Sequence, residues 1–206
     1  MKLIPEWYEH QYCLIAWPCN KDLYGKIINK ARDEVANVIN EIAKTEHVIV
    51  LSNKEDINEI QNKTDHKNID IIECKLDDSW MRDIAPIFYN EDEKLKSISF
   101  EFNGYGKYPD YLNDNKISKF ISNYLNIPTK TSDLVIEGGA ITYDDKKNLF
   151  STKNVIFNKN RKQKHNSEYI IKELKILFDL DNIFLFENGL IDDDTDGHVD
   201  LSLIHI

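Results

Sequence analysis

The chain has 206 residues, enough to bury a core as one domain or as part of a larger one. Hydrophobic residues make up 41%, and the formal net charge of −10 argues against nucleic acid and anionic membrane as partners while suiting a cationic one. No run approaches the roughly 18 apolar residues of a membrane-spanning helix. No charged start leads into an apolar signal core, and three cysteines (Cys13, Cys19 and Cys74) cannot all pair, so the expected compartment is the reducing cytoplasm.

In chain order, residues 12–17 read as a buried strand ended by Pro18. Over 22–44 the apolar residues Leu23, Ile27, Ala31, Val35, Val38, Ile39 and Ile42 fall at helical spacing, which predicts an amphipathic helix. A strand at 48–51, a weaker helix at 54–61 and a strand at 69–74 follow. Residues 77–88 and 95–102 then predict a hairpin with a polar turn at 90–93. A Gly and aromatic loop at 103–109 leads to a helix at 113–125. Short strands across 133–157, a strongly amphipathic helix at 167–178 and a strand at 182–186 complete the pattern. The order strand–strand–helix–strand recurs at roughly 60 to 80 residues, as in small α/β units repeated around a centre; an ordinary doubly wound sheet is the alternative.

The densest ionisable stretch is Asp192-Asp-Asp-Thr-Asp-Gly-His-Val-Asp200. On an extended strand His198 and Asp200 would share a face, where a histidine beside a carboxylate can move protons. The same stretch carries the acidic positions and turn glycine of a calcium loop, but its twelfth position is Leu203, where a bidentate glutamate is needed. At residues 77–83 an arginine alternates with carboxylates around Trp80. Either Arg82 makes a structural pair with an aspartate while Trp80 sits in the core, or Asp83 stands at a strand start facing a pocket walled by Trp80. A carboxylate beside an indole suits a planar guanidinium. Glu137-Gly138-Gly139 reads as a tight turn with a surface glutamate or as a place of close backbone approach. The loop from Asn103 reads as a flexible connection, and the basic cluster from Asn158 through Lys164 as a solvated helix start or a contact for a substrate carboxylate.

Together Trp17-Pro18, Asp78-x-Trp80-Met81-Arg82-Asp83-x-x-Pro86, Asn103-Gly104-Tyr105-Gly106-Lys107-Tyr108-Pro109, Glu137-Gly138-Gly139, Asn158-x-Asn160-Arg161 and Thr195-Asp196-Gly197-His198-Val199-Asp200 resemble the agmatine deiminase family, which includes the bacterial peptidyl-arginine deiminases. The resemblance implies a pentein fold, an α/β-propeller of five ββαβ-type units around a central site, with no metal and no cofactor. It implies hydrolysis of agmatine to N-carbamoylputrescine and ammonia through a cysteine thiouronium, a step towards putrescine. Asp83 and Asp200 would grip the guanidinium, His198 would be the acid and base, Glu137 its partner carboxylate, and Trp80 would line the pocket. Deimination of arginine in peptides and guanidinium binding without catalysis are the alternatives. The motifs beginning at Pro5, with no signal ahead of them, favour the small-molecule reaction. A homo-oligomer of the full-length parent is compatible with the family.

The sequence departs from that pattern in one large respect. The family's nucleophilic cysteine lies in a Gly-rich stretch ending His-Cys, and none of Cys13, Cys19 and Cys74 sits in such a context. Residues 1–200 therefore read as a partial deiminase domain with about three of five units. Residues 201–206 resemble a translated library adapter and read as a non-native tail, so His205 is assigned no function. Ala85 stands where the family has Gly and Tyr105 where it has Trp, and the Asn103 loop is one glycine short.

Overall fold

The computed structural model describes residues 1–65 and 67–200. The expected tail, with Leu203 and His205, lies outside them. The chain resolves into two compact units, one built from Met1–Tyr8 and the chain from Arg82 on, the other from Glu9–Met81.

In the Glu9–Met81 unit, β2 (Cys13–Ala16), β3 (Val48–Ser52) and β4 (Ile69–Glu73) form a parallel sheet in that order. The expected long helix is broken. Helix α1 (Lys21–Tyr24) ends at Gly25, whose φ of 51° is left-handed, and α2 (Ile28–Ile42) starts after one 3-10 turn. Leu23, Ile27 and Val38 are exposed, whereas Arg32, Ala36 and Ile39 of α2 face inward. Arg32 is tolerated there because Nε donates to the Pro18 carbonyl at 2.9 Å while its two Nη atoms meet Asp56 at 2.8 Å and Glu59 at 2.5 Å. Trp17, Ile39, Val48, Val50 and Ile60, the last from α3 (Ile57–Lys63), close the core.

The other unit holds two sheets. In one, β1 (Lys2–Leu3) pairs with β5 (Ile87–Glu91), which forms the expected hairpin with β6 (Lys94–Glu101); β7 (Thr129–Val135) adds in parallel through α5 (Ile117–Tyr124). The hairpin turn places Asp92 and Glu93 at φ 54° and 59°, the primed geometry that matches strand twist. In the other sheet, β8 (Thr142–Tyr143) pairs antiparallel with β9 (Asn148–Thr152). A helical turn, α6 (Lys153–Ile156), follows, and α7 (Ser167–Phe178) crosses to the parallel β10 (Asn182–Phe186). Strand–strand–helix–strand thus occurs twice in this unit, as the sequence pattern predicts. One core joins both sheets, with Tyr89, Ile98 and Leu134 from the first packed with Leu149 from the second and with Ile170, Leu174 and Phe178 from α7.

Two sequence expectations fail here. Residues 81–84 are a helical turn, α4 (Met81–Ile84), so Asp83 is not at a strand start. The stretch after β10 runs through turns to residue 197 and is helical at residues 199–200, so His198 and Asp200 do not share a strand face.

Candidate active site

The site is assembled on Gly139. A Cβ there would lie 2.5 Å from His198 Nδ1 and 2.7 Å from both Asp200 Oδ2 and Asp83 Oδ1, so only glycine lets these three side chains converge. Its neighbour Gly138 lets α4 approach, since a Cβ there would stand 2.1 Å from the Arg82 carbonyl oxygen. The pair of glycines after β7 is therefore a place of close approach, and Glu137 is no surface residue: it is 1% exposed.

Asp83 accepts hydrogen bonds from Tyr105 Oη at 2.7 Å on one carboxylate oxygen and from the Gly139 N–H at 2.9 Å on the other. Burial pushes its carboxyl above the ordinary value, against the opposing pull of His198 and these bonds. His198, 2% exposed, has Nε2 at 3.4 Å from Glu137 Oε2, and Nδ1 at 3.7 Å from Asp83 and 3.9 Å from Asp200. Burial alone would depress its pKa, but the Glu137 hydrogen bond and the charges of Asp83, Glu137 and Asp200 outweigh it and raise the imidazole above its ordinary value. Burial would likewise raise Glu137. The His198 hydrogen bond and the Arg161 charge reverse that and hold it below the usual glutamate value.

Arg161 corrects the reading of the basic cluster as a solvated helix start. It is 1% exposed and sits on the 3-10 turn Lys159–Arg161. Its Nε lies 2.7 Å from Glu137 Oε1, a charge contact whose N–H is not aligned as a hydrogen bond. Its Nη1 meets Asp196 at 2.7 Å and the Tyr105 carbonyl at 3.1 Å, and Nη2 donates to the Thr195 carbonyl at 2.6 Å.

The acidic stretch is thereby occupied by the protein itself. Asp193 accepts from Thr195 N and Oγ1, Gly197 N and His198 N, which folds the loop back on itself and aims His198 inward. Asp196 takes Arg161, Asn160 and, at 2.8 Å, Lys107. Of the carboxylates that a calcium loop would need these bonds take Asp196, and no group of three or more ligating side chains suited to a metal occurs among the described residues. Asp200, half-buried, meets Arg82 Nε at 3.6 Å, and Arg82 also bonds Glu6.

The structure thus brings together Asp83, Glu137, His198 and Asp200. Trp80 belongs to the other unit and is 47% exposed, so it is not the core tryptophan of the structural alternative. Sequence reasoning missed Tyr105 and Arg161 as parts of the site. A cleft of about 470 Å³ lined by Phe102, Asn103, Lys107, Tyr108 and Tyr111 also has Arg161 on its wall.

Chemically, the arrangement offers two carboxylates beside an imidazole whose proton affinity a third carboxylate, paired with Arg161, helps to raise. Such a set can hold a cation and move a proton at the same point.

Residues 2–204 match the family model described as Porphyromonas-type peptidyl-arginine deiminase. A Mycoplasma capricolum relative named "Putative agmatine deiminase" is 33% identical over 207 residues, covering 98% of this chain and 56% of its own length. The agmatine deiminase of Stutzerimonas stutzeri is 30% identical over 95% of this chain and 55% of its own. Among solved structures, a substrate-bound cysteine-to-serine variant of the C. jejuni agmatine deiminase superposes with a TM-score of 0.87 at 28% identity, over 97% of this chain and 60% of that one. The Enterococcus faecalis agmatine deiminase, at 19% identity, shares the fold with a TM-score of 0.90, over 97% of this chain and 56% of that one. The chain spans little more than half the length of these relatives.

Proposed function

Because the chain belongs to the Porphyromonas-type peptidyl-arginine deiminase family, we propose that it is the guanidinium-holding part of an agmatine deiminase, with the parent reaction of agmatine and water to N-carbamoylputrescine and ammonia. The observation that carries this reading is the convergence of Asp83, His198 and Asp200 on Gly139, with Glu137 behind the imidazole.

In this reading Asp83 and Asp200 accept from the guanidinium nitrogens. Guanidinium is planar, delocalised and a poor electrophile; carboxylates on its nitrogens fix the carbon and localise its charge. A cysteine thiolate attacks that carbon, His198 gives its proton to the departing nitrogen, and ammonia leaves. His198 then takes a proton from water as the water attacks the thiouronium carbon, the C–S bond breaks, and the thiolate is restored. Glu137, itself neutralised by Arg161, stabilises the imidazolium in both half-reactions. Trp80 is assigned to the pocket wall on the family pattern alone. The wider expectations, a pentein propeller and a place in putrescine formation, rest on the same membership.

We assign the thiolate to a residue outside these 206. Cys13, Cys19 and Cys74 all belong to the Glu9–Met81 unit. Burial, and then Glu46, raise the Cys13 thiol, the wrong direction for a nucleophile, and the Cys19 thiol is turned to the Leu76 carbonyl. The substrate-bound relative with serine in place of a cysteine supports cysteine chemistry in the family. The names of the curated relatives favour agmatine, while the family description keeps peptidyl-arginine as the second reading.

Calorimetric titration tests the proposal. The chain is expected to bind agmatine more tightly than a blocked arginyl peptide and to form no ureido product. Asp83→Asn should weaken agmatine about 10- to 100-fold, the worth of a charge-assisted bidentate contact. Tighter binding of the peptide would reverse the substrate choice. Ureido product that disappears in one of the three single cysteine-to-alanine variants would overturn the assignment of the nucleophile. No binding of either ligand would overturn the guanidinium reading.

A further inference from the structure

The loop from Asn103, read from sequence as a flexible connection, is a buried turn under unusual backbone geometry. Gly104, Tyr105 and Gly106 all have positive φ, 62°, 58° and 69°. For the two glycines this is inexpensive; for Tyr105 it costs on the order of 1 kcal/mol. A side chain held so is held by its contacts. The turn is pressed against Asn160, since a Cβ on Gly106 would stand 2.0 Å from the Asn160 carbonyl oxygen, and Asn103 Nδ2 ties it to the Asn160 and Arg161 carbonyls at 3.0 and 3.1 Å.

From that position Tyr105 touches most of the site. Its hydroxyl donates to Asp83 Oδ2 at 2.7 Å and its carbonyl accepts from Arg161 Nη1 at 3.1 Å. The Arg161 guanidinium stands 5.7 Å from its ring centroid, and the His198 ring meets it edge-on at 5.9 Å. A carboxylate has about four acceptor sites, two per oxygen. Gly139 N–H takes one on Oδ1 and Tyr105 takes one on Oδ2. One site remains on each oxygen, the number that two parallel N–H groups of a guanidinium require.

We propose that Tyr105 is a positioning residue whose hydroxyl locks the Asp83 carboxylate in the orientation that receives a guanidinium fork, while its ring seats His198. This role rests on the reading of Asp83 as part of the guanidinium grip. It also assigns a consequence to a departure from the family pattern, in which tryptophan stands at this position: the donor here is an O–H.

The test compares Tyr105→Phe with Tyr105→Trp in the 206-residue chain. Phe keeps the ring against His198 and Arg161 and removes only the donor; Trp restores an N–H donor on an aromatic frame. Agmatine and methylguanidine are titrated calorimetrically, and the Asp83 carboxyl is titrated by carbon NMR. Tyr105→Phe is expected to weaken both ligands about 10-fold, the usual worth of a hydrogen bond to a charged group. It should also raise the Asp83 pKa further, a shift that general loosening of the turn would not give. Tyr105→Trp is expected to recover most of the affinity. If the parent chain binds agmatine and Tyr105→Phe binds within twofold of it, the positioning role is overturned and the grip stands. If the parent chain binds neither ligand, the grip falls and the role with it. Should Tyr105→Phe lose its cooperative melt, Tyr105→Trp decides: a folded Trp variant that binds within about threefold of the parent supports a donor role, and one more than tenfold weaker with an unmoved Asp83 titration overturns it.

Discussion

Arg161 shows what a single side chain does for this site and why it was hard to see. It is surrounded in sequence by Lys159, Lys162 and Lys164, and nothing in a run of cations marks which one turns inward. The chain turns at Asn158, whose side chain accepts from the Asn160 N–H, and Lys162 is left-handed, so Arg161 alone is driven under the 193–198 loop. There it balances Glu137 and Asp196. Replacing one member of a buried ion network leaves the others charged and unpaired, at a cost of about 3 to 5 kcal/mol. Arg161→Met should therefore lower the melting temperature sharply. Arg161→Lys should recover only part of the loss, because an ammonium cannot serve Glu137, Asp196 and two carbonyls with one planar fork. Adding Glu137→Gln to Arg161→Met should restore stability, since it removes one stranded charge. A melting temperature for Arg161→Met close to that of the parent would show that the network carries no net stability. The carboxylates and histidine of the site were legible as an ordered set of motifs. Their convergence on one glycine was not, because Glu137 and His198 meet only through the fold, at 3.4 Å across 61 positions.

At the scale of elements, helices with both a cap and a clean apolar stripe were read correctly, and those with a hidden break were not. Helix α7 runs over Ser167–Phe178 as expected: Asn166 accepts from the Tyr169 N–H at its start, Asp179 closes it in left-handed conformation, and Ile170, Leu174 and Phe178 face the core. Asn166→Ala should cost about 1 kcal/mol of stability, read as a shift in the denaturation midpoint with unchanged slope. An unchanged midpoint would mean that the cap is idle and that tertiary packing alone sets this boundary. The first predicted helix is present but broken at Gly25, because apolar spacing carries no information about backbone sign. Exposure of Leu23, Ile27 and Val38 beside a buried Arg32 shows the same limit, as the inward face was chosen by available carboxylates as much as by hydrophobicity. The stretch after β10 escaped prediction for another reason. Its shape is set by one side chain, Asp193, bonding three backbone N–H groups and a hydroxyl, a pattern that leaves no periodic trace.

For the whole molecule these local charges set how stability depends on pH. The imidazole of His198 is faced by Glu137, Asp83 and Asp200, with Arg161 and Arg82 as the cations behind those carboxylates, and its folded pKa is raised. A group raised in the folded state stabilises the fold fully below its unfolded pKa, about 6.5, and loses that contribution as pH climbs through the folded value. Glu137 has the opposite sign: its depressed pKa gives stability present above the ordinary glutamate value and lost as acid titrates it. Asp83, raised by burial, is a cost while ionised, so its protonation offsets part of the acid loss. The melting temperature should thus peak below neutrality and fall on the alkaline side as His198 discharges, in a chain whose net charge is already −10 at pH 7. Calorimetric melts across that range at constant ionic strength read this directly. In His198→Gln the alkaline fall should vanish while the acid fall persists, because Glu137 keeps Arg161. A parent profile flat above pH 6.5 would show that discharge of the imidazole costs the fold nothing, whereas an alkaline fall that survives in His198→Gln would place its origin in the general repulsion of an acidic surface rather than in the imidazole at the centre of the site.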